Sequence, residues 1–259
     1  MANLHDIYEY INSVAPFGLQ DKFDNSGLII DSGREEVTKV LLALDATKKV
    51  IDEAHNLGCE LIITHHPVIF HPLKELDVKY PAPYMFSKGI SCISAHTNLD
   101  SADYDISDMM VELLGMTNTG EILSVNRSYE GKPVGYGRFA TCECISADDL
   151  ARLCKERFNS RAVKYTPGCD RITRVAVCSG AGGSMIYEAD VNRFDALVTA
   201  DVKHDQFLEA ELQGKTIIDC GHYETEVIAM PYLYDILSEK FPEVKFFFSA
   251  AMSHTIKAI

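Results

Sequence analysis

The sequence predicts an α/β fold of two lobes, each a mixed sheet with flanking helices. Three observations carry that expectation. Apolar runs of strand length alternate with segments whose apolar residues recur at helical spacing. The stretch 37–64 reads as a complete strand–helix–strand unit, the building block of parallel sheets. Between 122 and 140 the pattern turns to short strands punctuated by Gly131, Gly135 and Gly137, which suggests hairpins and a new lobe. The expected first lobe is 1–125 with 215–259 and carries most of the candidate metal ligands; the second is 126–214.

A chain of 259 residues with 47% hydrophobic composition is long enough to bury a core in each lobe. Its formal net charge of -14 repels a phosphate backbone, so nucleic acid is not an expected partner. Eight cysteines are scattered without a CxxC pair, several of them inside apolar runs. They read as reduced core thiols, not as a disulfide frame or a zinc cluster. The first residues, Met1 to Asp6, lack a basic segment followed by an apolar core, and no run approaches the roughly 20 apolar residues of a membrane span. The expected location is cytoplasmic.

In chain order, Ile7, Tyr10, Ile11 and Val14 predict an opening amphipathic helix with Asn3 or Asp6 as its cap. Asp24-Asn25-Ser26-Gly27 reads as a turn before the strand Leu28 to Ile30. A strand from Val37 to Leu44, a helix from Lys48 to Leu57 stopped by Gly58, and a strand from Glu60 to Thr64 follow. Prolines 72, 81 and 83 punctuate a loop and lead to a short helix, a strand from Ile90 to Ala95 and a helix from about Ile106 to Leu114. After the hairpin region come a helix near Ala147 to Phe158, strands near Val163 and from Arg174 to Cys178, and the small-residue turn Ser179 to Ser184. The rest reads as a strand Ala196 to Thr199, a helix near Gln206 to Leu212 and a strand Thr216 to Asp219. A helix after Gly221, bent or interrupted at Pro231, and a strand Lys245 to Phe248 complete the chain.

Chemistry gathers where strands end. The run Leu61 to Thr64 stops on His65-His66-Pro67, and Ile90 to Ala95 stops on His96 with Asp100 four residues on. The third such end is Gly221-His222-Tyr223-Glu224-Thr225-Glu226, where helical spacing puts His222 and Glu226 on one face. Strand alternation sends His65 and His66 to opposite faces, so they suit two neighbouring sites better than one small one. Read singly, each histidine could be a polar rim residue; together they form a metal-ligand constellation. Two ions about 3.5–4 Å apart call for a carboxylate that bridges them, and Glu226 is the natural bridge and candidate catalytic residue. Imidazole with carboxylate suits zinc, iron or manganese better than magnesium. His5, His55, His71, His204 and His254 lack this setting and read as surface or core residues.

Two weaker features stay open. The turn at Gly182 and Gly183 is either a phosphate cradle or a tight strand-to-helix turn. Asp201 and His204 are either a helix cap and a solvated side chain or an acid/base pair lining a cleft. No GxSxG elbow or cysteine–histidine nucleophile pattern supports covalent catalysis.

These motifs together resemble the Nif-three-like family, also described as GTP cyclohydrolase I type 2 homologues. The resemblance spans essentially the whole chain, through Asp24-Asn25-Ser26-Gly27-Leu28, Thr64-His65-His66-Pro67, Ala95 to Asp100, Ser179 to Ser184, Asp195 to Asp201 and Gly221 to Glu226. It implies a Nif-three-like fold, a toroidal homohexamer, and two divalent metal ions per subunit. It further implies that His66 and Asp100 hold one ion, His65 and His222 the other, and that Glu226 bridges them. His96 matches the family motif as a ligand or as a residue that orients one. Asp205 stands where many relatives have a second histidine. The implied activity is metal-dependent hydrolysis of a nucleotide or other small molecule; the competing reading is a ring-shaped metal-binding protein without catalysis.

Overall fold

The structure is a computed structural model that describes residues 1–252, 255 and 256. It begins with β1 (Ala2–Asn3), α1 (Leu4–Val14), β2 (Gly27–Ile30), β3 (Glu36–Val37), β4 (Lys39–Ala43), α2 (Lys48–Leu57), β5 (Leu61–Thr64), α3 (Pro81–Ser87) and β6 (Ser91–Ser94). Next come α4 (Ile106–Leu113), β7 (Thr117–Tyr129), β8 (Lys132–Ile145), α5 (Ala147–Arg157), β9 (Lys164–Tyr165) and β10 (Ile172–Val177). They are followed by α6 (Met185–Glu188), β11 (Ala196–Thr199), α7 (His204–Leu212), β12 (Thr216–Asp219) and α8 (His222–Glu226), then by α9 (Ala229–Lys240) and β13 (Lys245–Phe248).

The chain forms two compact units, Met1–Asp103 with Ala229–Thr255, and Tyr104–Ile228 with Ile256–Ile259. The sequence predicts other boundaries, 1–125 with 215–259 and 126–214. Sheet pairing explains the difference. β7 pairs along β8, and β12 pairs in parallel with β11, so residues 104–125 and 215–228 go with the second sheet.

The first unit holds a five-stranded sheet in the order β13-β4-β5-β6-β2, parallel except for β2. Every residue of β5 and β6 is buried, as expected of parallel strands covered on both faces. α2 packs its Val50, Ile51 and Ala54 against Leu41, Ala43 and Ile62 of this sheet. Asn3 caps α1 by accepting from the His5 amide at 2.8 Å, and Gly58, with φ 72°, ends α2 in the left-handed region where glycine is strain-free.

The second unit holds a six-stranded sheet in the order β7-β8-β10-β11-β12-β9. Alternate residues of its parallel strands feed two cores: Val175, Val177, Val198 and Ile218 on one face, and Ala176, Leu197 and Ile217 on the other. The hairpin expected from short strands is instead one pair of 13 and 14 residues. Gly131 lies in the turn, but Gly135 and Gly137 lie inside β8; an added Cβ on Gly137 would meet the Val177 carbonyl oxygen at 2.7 Å, so that glycine permits close strand packing.

The interruption expected at Pro231 falls earlier, between α8 and α9. A proline ring clashes with the carbonyl four residues before it, here that of Val227, and the break sits there. All eight cysteines are free thiols. No helix among the described residues is long and apolar enough to cross a membrane. His254 lies outside the described residues.

Candidate metal centre

Register builds the site in the first unit. Ala43, Thr64 and Ser94 lie side by side on β4, β5 and β6. Two residues further on, the same row reads Asp45, His66 and His96 at the C-terminal edge, where open parallel sheets place their ligands. The His66 and His96 rings are 5.5 Å apart, and His65 lies 5.1 Å from each. One ligand atom from each of His65, His66 and His96 lies within 4.8 Å of the others. The opposite-face expectation for His65 and His66 therefore fails, because β5 ends at Thr64 and strand alternation lapses beyond it. Thr64 Oγ1 donates to the His66 carbonyl at 2.8 Å and the His66 amide donates to Leu44 O at 3.0 Å, turning the chain there.

Each imidazole is fixed through one nitrogen. His65 Nδ1 lies 2.7 Å from the Ala95 carbonyl, His66 Nδ1 2.8 Å from Asp45 Oδ1, and His96 Nδ1 2.7 Å from Asp24 Oδ1. A carbonyl or carboxylate can only accept, so each bond puts the proton on Nδ1 and leaves Nε2 as the nitrogen able to ligate a metal. Burial alone would raise the Asp24 pKa. Bonds from His96 and Thr97 outweigh it and hold the carboxyl well below the usual range. Asp100 follows in a helical turn whose amide donates to His96 O at 3.1 Å, and its Oδ2 stands 3.8 Å from His65 Nε2.

The second unit carries a matching strand edge. Cys178 follows Val177 of β10, level with Thr199 of β11, which pairs with Asp219 of β12. Two residues on, the row holds Gly180, Asp201 and Gly221, and all three have positive φ, at 58°, 51° and 93°. Three neighbouring strand ends thus turn sharply together. Asp201 tolerates this conformation better than most non-glycine residues. Its Oδ2 accepts from His222 Nδ1 at 2.8 Å, while His222 Nε2 faces Glu226 Oε2 at 2.9 Å across one turn of α8. The shared helix face expected for His222 and Glu226 is present. Burial pushes the His222 pKa down, but the Glu226 and Asp201 carboxylates prevail and raise it to about 9. A cation between Nε2 and the carboxylate, proton or metal, is what this geometry favours.

Residues 2–255 match the family described as Duf34/NIF3 (NGG1p interacting factor 3). The chain belongs to the NIF3 family. A GTP cyclohydrolase 1 type 2 homolog from Campylobacter jejuni is 35% identical over 228 residues, covering 86% of this chain and 87% of that protein. A GTP cyclohydrolase 1 type 2 from Helicobacter pylori is 30% identical over 232 residues, covering 87% of this chain and 88% of its own length. Among solved structures, the Staphylococcus aureus protein SA1388 matches with a TM-score of 0.88 at 24% identity over 99% of both chains, which shows the fold.

Within this NIF3-family fold, the donor set fits a metal: imidazole nitrogens oriented through their other nitrogen, with carboxylates beside them. In the first unit His65, His66, His96 and Asp100 stand together; in the second, His222 and Glu226 do. The glycines of the turn at 179–184 pack closely against their neighbours. A Cβ on Gly182 would crowd Cys178 and Thr199, one on Gly183 would crowd Gln206, and the Gly182 amide already donates to Gly180 O at 2.9 Å. Gly180 matters more, because a Cβ there would fall on Glu226 Oε1. Asp201 serves as the orienting partner of His222. His204 is exposed at the start of α7 and Asp205 accepts from Tyr187 Oη at 3.1 Å. Sequence reasoning missed Asp24 and Asp45 as orienting residues; a carboxylate directly after the apolar run 40–44, level with the histidine strand ends, was the available signal for Asp45.

Proposed function

We propose that this chain is a dinuclear metal-dependent hydrolase of the GTP cyclohydrolase 1 type 2 kind. The observation that carries this reading is that His65, His66, His96 and His222 each commit Nδ1 to an oxygen acceptor, three of them to a carboxylate. Rim histidines in water have no need of such fixed tautomers. The family resemblance supports His66 and Asp100 as ligands of one ion, His65 and His222 of the other, with Glu226 as bridge. Bound there, zinc, iron or manganese would polarise a substrate and lower the pKa of water near neutrality. The chain's own part is to fix the imidazoles through Asp24, Asp45, Asp201 and the Ala95 carbonyl, and to supply the charge of Asp100 and Glu226 against two cations. Glu226 is buried, and the missing side chain of Gly180 leaves the space that its Oε1 occupies.

Elemental analysis of protein purified without added metal should find two equivalents of zinc, iron or manganese per chain, and the loaded protein should release formate from GTP. Glu226→Gln should lower both. Formate release that persists while metal content falls would remove the centre from catalysis, and protein that takes up no metal on reconstitution would end the reading. The net charge of -14 favours a second reading, because it disfavours a polyanionic nucleotide. In that reading the chain assembles as a toroidal homohexamer that binds metal without turnover. Sedimentation velocity tests the hexamer, and loaded protein inactive on GTP would support this alternative.

A further inference from the structure

Beside the histidines of the first unit stand two phenylalanines that the fold does not bury. Val68 and Ile69 pack on the first unit's core, but Phe70 is 41% exposed and Phe23 is 65% exposed. Rings left in water forgo the burial that ordinarily stabilises such side chains. Here one ring contact and two polar bonds, from the consecutive residues Phe23, Asp24 and Asn25, hold the arrangement instead. Phe23 sets its ring 6.3 Å from that of Phe70 at a tilt of 56°. Asp24 orients His96. Asn25 donates through Nδ2 to the Ile69 carbonyl at 2.7 Å and pins the backbone from which Phe70 departs. Phe70 in turn stands edge-on to His96, with centroids 6.1 Å apart.

We infer that Phe23 and Phe70 form a subsite that grips a planar heteroaromatic ring of a small-molecule ligand and presents it beside His96. The inference rests on the reading of the neighbouring histidines as a metal centre. Tilted rings at this spacing offer one face and one edge, the contacts that aromatic groups prefer at about 4.5–7 Å. A third flat ring fits such a corner better than a broad protein surface does. Stacking also supplies affinity without charge, which suits a chain whose net charge of -14 gives an anionic ligand no general attraction. The contact of Phe70 with His96 makes the corner continuous with the histidine cluster, so a ring held there lies next to the chemistry. The competing occupant is a second copy of the chain, since the same loop exposes Leu73 and Leu76.

The chain contains no tryptophan, so Phe70→Trp creates a single tryptophan reporter, excited selectively over the tyrosines, and keeps an aromatic ring. Guanosine serves as the flat probe and ribose as the ringless control, both added to the full-length metal-loaded protein. Guanosine, and not ribose, should change the reporter's emission saturably. By calorimetry on the otherwise unaltered protein, Phe23→Leu or Phe70→Leu should each weaken guanosine binding about tenfold. Metal content, measured on the same samples, should stay at the unaltered level, so failure of the subsite and failure of the metal reading are told apart. The inference is overturned if the unaltered protein shows no saturable guanosine binding, or if both leucine variants bind it undiminished. A change in oligomeric mass with unchanged guanosine affinity would overturn it in favour of the second copy.

Discussion

Asp24 orients one imidazole, that of His96, and also accepts from Thr97 and from Ser26 Oγ. Replacing it by asparagine keeps the shape but lets the amide present either a donor or an acceptor to His96 Nδ1, so the tautomer is no longer dictated. Asp24→Asn should weaken metal binding about tenfold to a hundredfold, as changes to such orienting partners do, measured by competition with a chromogenic chelator. Asp45→Asn, acting on His66, should do the same; undiminished affinity in both would show that the histidines need no orientation. Gly180→Ala is the sharper probe, because two separate penalties coincide. The left-handed φ of 58° costs a side chain about 1–2 kcal/mol, and the new Cβ displaces Glu226. Lower urea stability together with lost metal is expected; a variant that keeps its metal would show that Glu226 has room to move. That glycine was legible in the sequence only as part of a glycine-rich turn, since the residue it makes room for lies 46 positions away in the chain.

At the scale of elements, the hairpin between β7 and β8 turns at Glu130 and Gly131, both with positive φ, at 49° and 80°. Consecutive positive values mark a type I′ turn, which favours asparagine followed by glycine. Glu130→Asn should therefore stabilise the protein by up to about 1 kcal/mol, and Gly131→Ala should destabilise it by a similar amount. Urea denaturation measures both, and no change in either would mean that the turn is not formed as described. α2 offers a second test through Glu53, which accepts from Ser249 Oγ and from the Ala250 and Ala251 amides. Burial alone would raise its pKa, but these bonds prevail and hold it below the ordinary value. A depressed carboxyl stabilises the fold above its ordinary pKa, about 4.3, and loses that effect as pH falls through the lower folded value. Acid should thus loosen residues 249–251, which stay held at neutral pH, and Glu53→Gln should flatten that part of the stability–pH curve. Sequence periodicity recovered β11, β12, β13 and α2 residue for residue, because a buried strand or an amphipathic helix writes its pattern locally. It missed the length of β7 and β8, because Gly135 and Gly137 inside β8 are explained by neighbours across the sheet.

For the whole molecule, metal is expected to act as a stabilising ligand, since the histidine and carboxylate sets exist only in the folded chain. A ligand at a hundred times its dissociation constant adds about 2.7 kcal/mol. In a chain of this size that corresponds to a rise in Tm of roughly 5–10 °C, which chelation should abolish and zinc, iron or manganese restore. An unchanged melting curve on chelation would count against a folded-state metal site.

The sequence by itself determined the α/β class, the order of strands and helices, the family, and the strand ends at which His65, His66, His96, His222 and their carboxylates fall. All of these follow from local pattern or from motifs short enough to be contiguous. Tertiary structure decided which partner fixes each histidine. Asp45 reaches His66, Asp24 reaches His96 and Asp201 reaches His222 through strand register and paired turns, which bring together residues 21, 72 and 21 positions apart. It also decided that 104–125 and 215–228 belong with the second sheet, because unit membership follows from hydrogen-bonded pairing that no single segment encodes.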